Sequence, residues 1–449
     1  MDPLFFVSWP SAPLTDSLVR NALLALPTVN SASIYSTLPQ SFSKLVQWSS
    51  YDEIDHALTH SGHHDVRSSS YVIRKALIRK HFLSRCIHSY LTKHPDSILR
   101  TAVPKTWDIE ISFADELDDL WADELWDLSD VLDKLVASPE TDNRWWILKP
   151  GMADRGMGIR LFNSKEGLQQ VLEEFDDDGL SGDGDGAAAG DDTSIAISQL
   201  RHFVIQEYLS KPLLLDPREV SSGTLDDTTS SRPFDQLQGH KFHLRAYCVA
   251  SGDLSVYLYM RLLALFASKP YTPPAPGGAI DLAPHLTNSS LQTHRGEEGV
   301  RLLDELVGCH ILSRGADAPG SDPTLTLDHL ANIQDQVADA LAETFTAALQ
   351  SPIHFQPLGN AFEVFGVDFL VEHIPSSQPQ FRVKLLEINA EPAIELTGPR
   401  LTWALQDLFN SVACVCVDPF VRDVPVEAWP VGQTRYHLRK CLQTTVRGC

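Results

Sequence analysis

Cysteine pairs, basic charge and long apolar runs are all scarce in this chain of 449 residues. The seven cysteines (Cys86, Cys248, Cys309, Cys414, Cys416, Cys441, Cys449) are odd in number, and none forms a CxxC pair. That pattern offers neither a disulfide framework nor a zinc site, so a reducing compartment, cytosolic or nuclear, is expected. No apolar run approaches the roughly 20 residues of a membrane span, and Met1-Asp2-Pro3-Leu4 lacks the basic start of a signal peptide. No membrane partner is therefore expected. Basic residues number 36 against 59 acidic ones, a net charge of -23. A nucleic-acid reader normally carries a basic domain, so direct binding of nucleic acid is not expected either. The length and a 43% hydrophobic content exclude a single small domain or a disordered chain and point to two or three packed units.

The acidity is uneven. Residues 108–142 hold 13 acidic side chains and one basic, and residues 173–192 hold nine acids and no base. Residues 74–105 are basic, with Arg74, Lys75, Arg79, Lys80, Arg85, Lys93, Arg100 and Lys105 against Asp96 alone. Such a cluster is either a solvated helix face or a surface for an acidic partner.

Residues 1–70 mix short apolar runs with Ser- and Pro-rich joints and suit a small α/β domain. A central domain is expected over 71–210 and a C-terminal one over 211–449. Val72, Ala76, Leu83, Ile87 and Leu91 recur at helical spacing, so the basic cluster is expected on an amphipathic helix. The acidic block also reads as helix, with Leu117, Leu120, Trp121, Leu125, Leu128, Leu132 and Leu135 facing inward. Residues 326–350 read as another helix. Residues 176–193, 221–232 and 270–278 read as loops, the first of them disordered.

Chemistry concentrates on the strands. Trp146-Ile147-Leu148-Lys149 leads into a glycine loop with Arg155, Gly156 and Gly158, then into Ile159-Arg160-Leu161-Phe162. This is either an ordinary hairpin or a loop whose backbone N–H groups cover phosphates while Lys149 neutralises them. Lys241-Phe242-His243-Leu244-Arg245-Ala246-Tyr247 alternates strictly, which puts Lys241, His243 and Arg245 on one face. Arg261 sits among apolar neighbours in the next run. Cations so arranged need an anion or solvent between them, and a wet sheet face is the plain alternative. Asp368 lies at the centre of the apolar run 362–371, and Glu387 and Asn389 share a face of the run 383–389. Acids in buried strands are costly unless paired or metal-bound, and hard oxygen ligands of this kind suit Mg²⁺. A salt bridge to Lys384 or Arg382 is the alternative for any one of them.

Taken in order, Trp146-Ile147-Leu148-Lys149-Pro150, Arg155-Gly156-Met157-Gly158-Ile159, Val204-Ile205-Gln206-Glu207-Tyr208, Lys241-Phe242-His243-Leu244-Arg245, His285-Leu286-Thr287-Asn288, Phe365-Gly366-Val367-Asp368-Phe369 and Leu386-Glu387-Ile388-Asn389-Ala390 resemble the tubulin–tyrosine ligase family. The match runs over about residues 70 to 410 and looks most like fungal members. The resemblance implies an α+β, ATP-grasp fold in which two α+β units enclose ATP. It implies Lys149 on the α- and β-phosphates, residues 155–158 as a flap, and Gln206, Glu207 and Tyr208 as an adenine hinge. Lys241 would contact the nucleotide, Arg245 and Arg261 the transferring phosphoryl group and the acceptor carboxylate. Asn288 would act at the catalytic centre, and Asp368, Glu387 and Asn389 would ligate Mg²⁺.

The reaction so implied joins an amino acid, most simply tyrosine, to the C-terminal carboxylate of α-tubulin, with residues 74–105 docking its acidic tail. Glutamate or glycine as the added residue, a non-tubulin acceptor, or an inactive scaffold in the cytoplasmic ribonucleoprotein granules (P-bodies) associated with fungal members are the alternatives. Two departures bear on this. His243 stands where the family usually has an aspartate, which removes an acceptor for the ribose hydroxyls, and Leu262-Leu263 replace the usual Glu-Gly after Arg261.

Overall fold

The computed structural model describes residues 3–29, 31–61, 64–137, 144–151, 158–180, 201–220, 233–275, 280–287, 299–313 and 323–444. Three sheets organise it. The first is parallel, in the order β2-β1-β3-β4, from β1 (Leu4–Phe6), β2 (Ile34–Tyr35), β3 (Leu45–Gln47) and β4 (Val66–Ser68), with helices α1 (Pro13–Leu24) and α2 (His56–His60). Basic residues 74–105 follow as α3 (Lys75–Ile78), α4 (Lys80–Lys93) and α5 (Leu99–Ala102) rather than as one helix. The second sheet is antiparallel, in the order β5-β8-β6-β7, from β5 (Thr106–Glu110), β6 (Trp146–Pro150), β7 (Arg160–Phe162) and β8 (His202–Glu207). Acidic helices α6 (Leu117–Ala122) and α7 (Trp126–Ala137) cover it together with α8 (Lys165–Leu180). Leu117, Leu125, Leu128, Leu132 and Leu135 are buried there, with Leu120 and Trp121 packed against them, so the expected inward stripe is present. Residues 176–180, expected in a disordered loop, continue α8, while 181–193 and the loop 221–232 lie outside the described residues.

The third sheet holds β9 (Leu214–Leu215), β10 (His240–Ser251), β11 (Ser255–Tyr259), β12 (Leu263–Phe266), β13 (Val300–Leu302), β14 (Phe362–His373), β15 (Phe381–Asn389), β16 (Thr434–Arg435) and β17 (Leu438–Gln443). Strand β10 is its hub, pairing antiparallel with β11 and β12 on one side and β14 on the other. Period two sorts its side chains. Phe242, Leu244, Ala246, Cys248 and Ala250 join one core with α3, α4 and α9 (Leu327–Leu349). Tyr247 and Val249 join the other with the first sheet, α1 and α10 (Thr402–Val412). On that second face Lys241, His243 and Arg245 precede Tyr247, so one strand face passes from polar to core within a few residues.

Helix α9 begins as the sequence suggests. The Thr326 hydroxyl accepts from the His329 N–H (3.3 Å) and the His329 ring accepts from the Thr326 N–H (3.2 Å), a reciprocal cap. Leu330, Ile333, Val337, Leu341 and Phe345 then form its buried stripe, each contributing about 1.5–3 kcal/mol of burial. The helical run Pro399–Val421, which ends in α11 (Asp418–Val421), is long and apolar enough to cross a membrane, with a mean hydropathy of 1.2. It is 61% buried, and Leu405, Leu408, Phe409 and Val412 pack into the second core, which is where that apolar character is used.

Candidate active site

Strand register builds the centre. Arg245 on β10 lies directly opposite Asp368 on β14, and Asp368 opposite Glu387 on β15, a transverse row across three strands. Gly366 pairs with Asn389 beside it. A Cβ at Gly366 would meet Pro392 at 2.6 Å and Arg245 Cδ at 3.4 Å, so only glycine lets these chains close over the row. A β-bulge follows Asp368, where Phe369 pairs with Leu385 and skips Leu386. The extra residue turns both Leu386 and Glu387 toward the same space.

Asp368 is the anion that the cationic face requires. Arg245 donates to both its oxygens (Nε to Oδ1 2.5 Å, Nη2 to Oδ2 3.0 Å), His243 Nε2 stands 3.4 Å away and Asn389 Nδ2 is 3.4 Å from Oδ2. Burial works to raise the Asp368 carboxyl, but Arg245 and His243 outweigh it and hold it well below the usual carboxylate range. Burial opposes the Arg245 charge, and Asp368 outweighs that too, pushing the guanidinium further up. Asp368 is thus satisfied by this pair and not by Lys384 or Arg382. Lys384 instead reaches Glu372 at 3.6 Å.

Lys149, next to last in β6, is buried, with Nζ donating to Gln206 Oε1 at 2.7 Å. Burial pulls its ammonium down to about 8, opposed by Glu387 and Asp368 and reinforced by Lys80. Lys241, also buried, reaches the Tyr208 hydroxyl at 3.3 Å, and burial together with Lys149 pulls it down to about 7. Tyr208 in turn shares a hydrogen bond with His285 Nδ1 at 2.9 Å, and His243 Nδ1 shares one with Thr287 Oγ1 at 2.5 Å.

Two cavities meet at this row. A small one of about 100 Å³ is lined by Lys149, Gln206, Glu207, Tyr208, Lys241, His243, Asp368 and Glu387, with Ile147, Ile159, Leu286, Leu370 and Leu386 as its apolar walls. A larger one of about 770 Å³ opens beside it against the first sheet and is lined by Lys80, Lys149, Arg245, Glu387 and Asn389 on the inner side. Lys149, Ile159 and Glu387 line both.

Most of the residues expected in a site therefore converge. Gly158 lies at the edge, with φ +71°, the left-handed conformation that glycine adopts without strain, immediately before Ile159. Arg155, Gly156 and Asn288 lie outside the described residues. Arg261 is not brought in. Its guanidinium bonds Asp407 (3.2 Å) and sits 4.9 Å from the Trp403 ring, and it lines neither cavity. At the expected hinge, two backbone donors already have partners in the protein. The N–H groups of Glu207 and Tyr208 are taken by the carbonyls of Lys105 and Trp145, both at 2.8 Å, and the Gln206 side chain orients Lys149. Lys80, 3.5 Å from Glu387, stood in the sequence only as part of the basic cluster, and Thr287 and His285 were not expected as site residues. Thr287 and His285 stand in the same His-Leu-Thr-Asn run as Asn288, which was the available signal.

The basic surface expected over residues 74–105 is not a free one. Arg74 is buried and bonded to Glu363, Lys80 faces Glu387, Arg85 bonds Asp108 (2.5 Å) and Lys105 bonds Asp127. Half of the cluster is spent on carboxylates of the protein itself, because α3 and α4 pack into the third sheet's core with their polar sides against strands and the acidic helices.

The donor set fits Mg²⁺. Among the described residues no three His, Cys, Asp or Glu side chains gather as a closed metal cage. Glu387 and the Asn389 amide on β15 stand at the cavity wall and leave the remaining positions to water and phosphate, as Mg²⁺ commonly binds, while Asp368, expected as a third ligand, has both oxygens bonded to Arg245.

The tubulin-tyrosine ligase family model matches residues 66–423. The chain belongs to this family. It is 35% identical over 445 residues to a probable tubulin–tyrosine ligase, PBY1, of Saccharomyces cerevisiae, covering 94% of this chain and 52% of the yeast protein. A probable tubulin–tyrosine ligase, C12B10.04, of Schizosaccharomyces pombe is 36% identical over 382 residues, 83% of each chain. Thus the chain spans about half the length of one of these relatives and most of the other. Human tubulin polyglutamylase TTLL11 is 25% identical over 209 residues, 44% of this chain and 25% of the human one. Among solved structures, the C-terminal domain of K. lactis Pby1, described as an ATP-grasp enzyme interacting with the mRNA decapping enzyme Dcp2, superposes with a TM-score of 0.66 at 29% identity. That match covers 99% of this chain and all of the other. The fold is α+β and of the ATP-grasp type, and the family is one of ATP-dependent ligases.

Proposed function

We propose that the chain is an ATP- and Mg²⁺-dependent ligase that joins an amino acid to a carboxylate of a protein. The observation that carries this is the row Arg245–Asp368–Glu387 standing where a small apolar slot meets a large cavity of mixed polar and apolar lining. ATP supplies the γ-phosphoryl group that turns an acceptor carboxylate into an acylphosphate, a good acyl donor to an amine. Everything else is positioning and charge.

The slot takes the nucleotide base among Ile147, Ile159, Leu286, Leu370 and Leu386, with Lys241 and Lys149 toward its phosphates. Both lysines are desolvated, so an anion beside them is worth more than at an exposed site. Glu387 and Asn389 hold the metal at the junction, with Asp368 behind them fixed by Arg245. Arg245 keeps a cation at the wall of the large cavity, where the acceptor carboxylate arrives. Gln206 keeps Lys149 aimed, and His243, bonded to Thr287, fills the place of the family's aspartate and lies against Asp368. The intact Lys149, Asp368, Glu387 and Asn389 favour an enzyme over an inactive scaffold. Incorporation of labelled amino acids, offered singly with Mg-ATP to detyrosinated tubulin and to a cell extract, tests the reading. Incorporation that needs ATP and is lost in Glu387→Gln supports it. ATP binding without incorporation into any protein contradicts it.

A further inference from the structure

The large cavity is a binding site by position, since it shares Lys149 and Glu387 with the slot, and what its wall carries decides what enters. Among the described residues, three of its four cations are matched by protein carboxylates, and the fourth, Lys149, is bonded to the Gln206 amide at the inner end. Arg74 is bonded to Glu363, Lys80 faces Glu387 and Arg245 is bonded to Asp368. On the outer wall stand Asp52, Glu53, Glu391 and Glu395, all exposed, and none of them is ion-paired with a cation among the described residues. Three are held by neutral donors. Glu53 accepts from the Ser8 hydroxyl (2.9 Å), Glu391 from the Tyr51 N–H (2.8 Å), and Glu395 from the N–H and hydroxyl of Thr15 at the start of α1 (2.9 and 3.1 Å). No cation among the described residues neutralises these four carboxylates, so the outer wall is net negative. An acid-rich chain entering there meets like charge along the outer wall, whereas a chain with lysine or arginine beside its reacting carboxylate meets complementary charge.

We infer that the acceptor of this ligase is a protein segment whose reacting carboxylate is flanked by basic residues, not an acid-rich tail. The inference rests on the ligase reading and names the substrate class of the same site. Its test compares two short fluorescent peptides ending in the same free carboxylate, one lysine-rich and one glutamate-rich. Their affinities are measured by anisotropy with Mg²⁺ and a non-hydrolysable ATP analogue present. The lysine-rich peptide is expected to bind at least about tenfold more tightly at low salt, with the advantage shrinking as salt is added. In Asp52→Asn/Glu53→Gln, both exposed positions, and separately in Glu391→Gln, which keeps an acceptor for Tyr51, the advantage falls while analogue affinity is unchanged. Equal binding, tighter binding of the glutamate-rich peptide, binding of neither, or an advantage untouched by the variants overturns the inference and leaves the nucleotide site standing. A protein that binds no nucleotide removes the ligase reading, and the inference with it.

Discussion

The two cavities that meet at Glu387 are built in opposite ways. The small slot is made mainly from regular strands, β6, β8, β10, β14 and β15, and most of its polar side chains are buried and bonded to one another. The large cavity is made from loop ends and turns of the first sheet, such as residues 49–53, set against residues 389–396. Its outer charges are exposed and fastened only to backbone or hydroxyl groups. A slot of the first kind suits a ligand shared by a whole fold, because strand register cannot vary without moving every side chain to the other face. A wall of the second kind can change charge one residue at a time without cost to the core, which suits the recognition of an acceptor.

Variants sharpen this contrast, and the largest effect is expected at the buried row. Arg245→Met leaves Asp368 buried without its bidentate partner and should lower stability by about 3–5 kcal/mol in chemical denaturation. A near-neutral change would mean that water or Asn389 satisfies Asp368 instead. Glu387→Gln keeps the shape at the junction and removes its charge. It should reduce ATP-dependent turnover by at least about 10²-fold with little change in melting temperature, and full activity would take Glu387 out of the metal site.

A pH effect should come next. Lys241 and Lys149, depressed by burial to about 7 and about 8, carry charge below those values and lose it above them. Nucleotide affinity should therefore fall by roughly tenfold from about pH 6 to about pH 9, in binding titrations at constant ionic strength. A flat profile would show that the bound phosphates hold both lysines charged throughout. The smallest effect belongs to Arg261→Ala, which loses a contact to Asp407 and Trp403 outside both cavities. Less than about threefold change in nucleotide affinity or turnover is expected, since this partly exposed ion pair lies outside both cavities and such pairs are worth little. A loss as large as that of Glu387→Gln would restore Arg261 to the catalytic centre.

The same contrast explains what could be read beforehand. Strict alternation placed Lys241, His243 and Arg245 on one face, and charged residues inside apolar runs marked Asp368 and Glu387, so the slot was legible from local pattern. The pairing of Arg245 with Asp368 was not, because it depends on which strand lies beside β10, some 120 residues away in sequence. Arg261 carried a matching position in the family pattern but lies beyond the end of β11, where α10 offers Asp407 as a partner. The basic cluster was only half legible for a related reason. Charge counts along the chain do not say that Arg74 turns inward to Glu363 on β14 while Lys75 stays outside. The outer wall of the large cavity is hardest of all to foresee, since Thr15 and Glu395 meet from 380 residues apart in the chain.

The most direct test of the account is a calorimetric titration of Mg-ATP into the wild-type chain and into Lys149→Met. The account predicts saturable binding at one site in the wild type, weakened at least about tenfold in the variant, because Lys149 is the buried cation common to both cavities. Absence of binding to the wild type, or equal binding to both proteins, would contradict the assignment of the slot to the nucleotide.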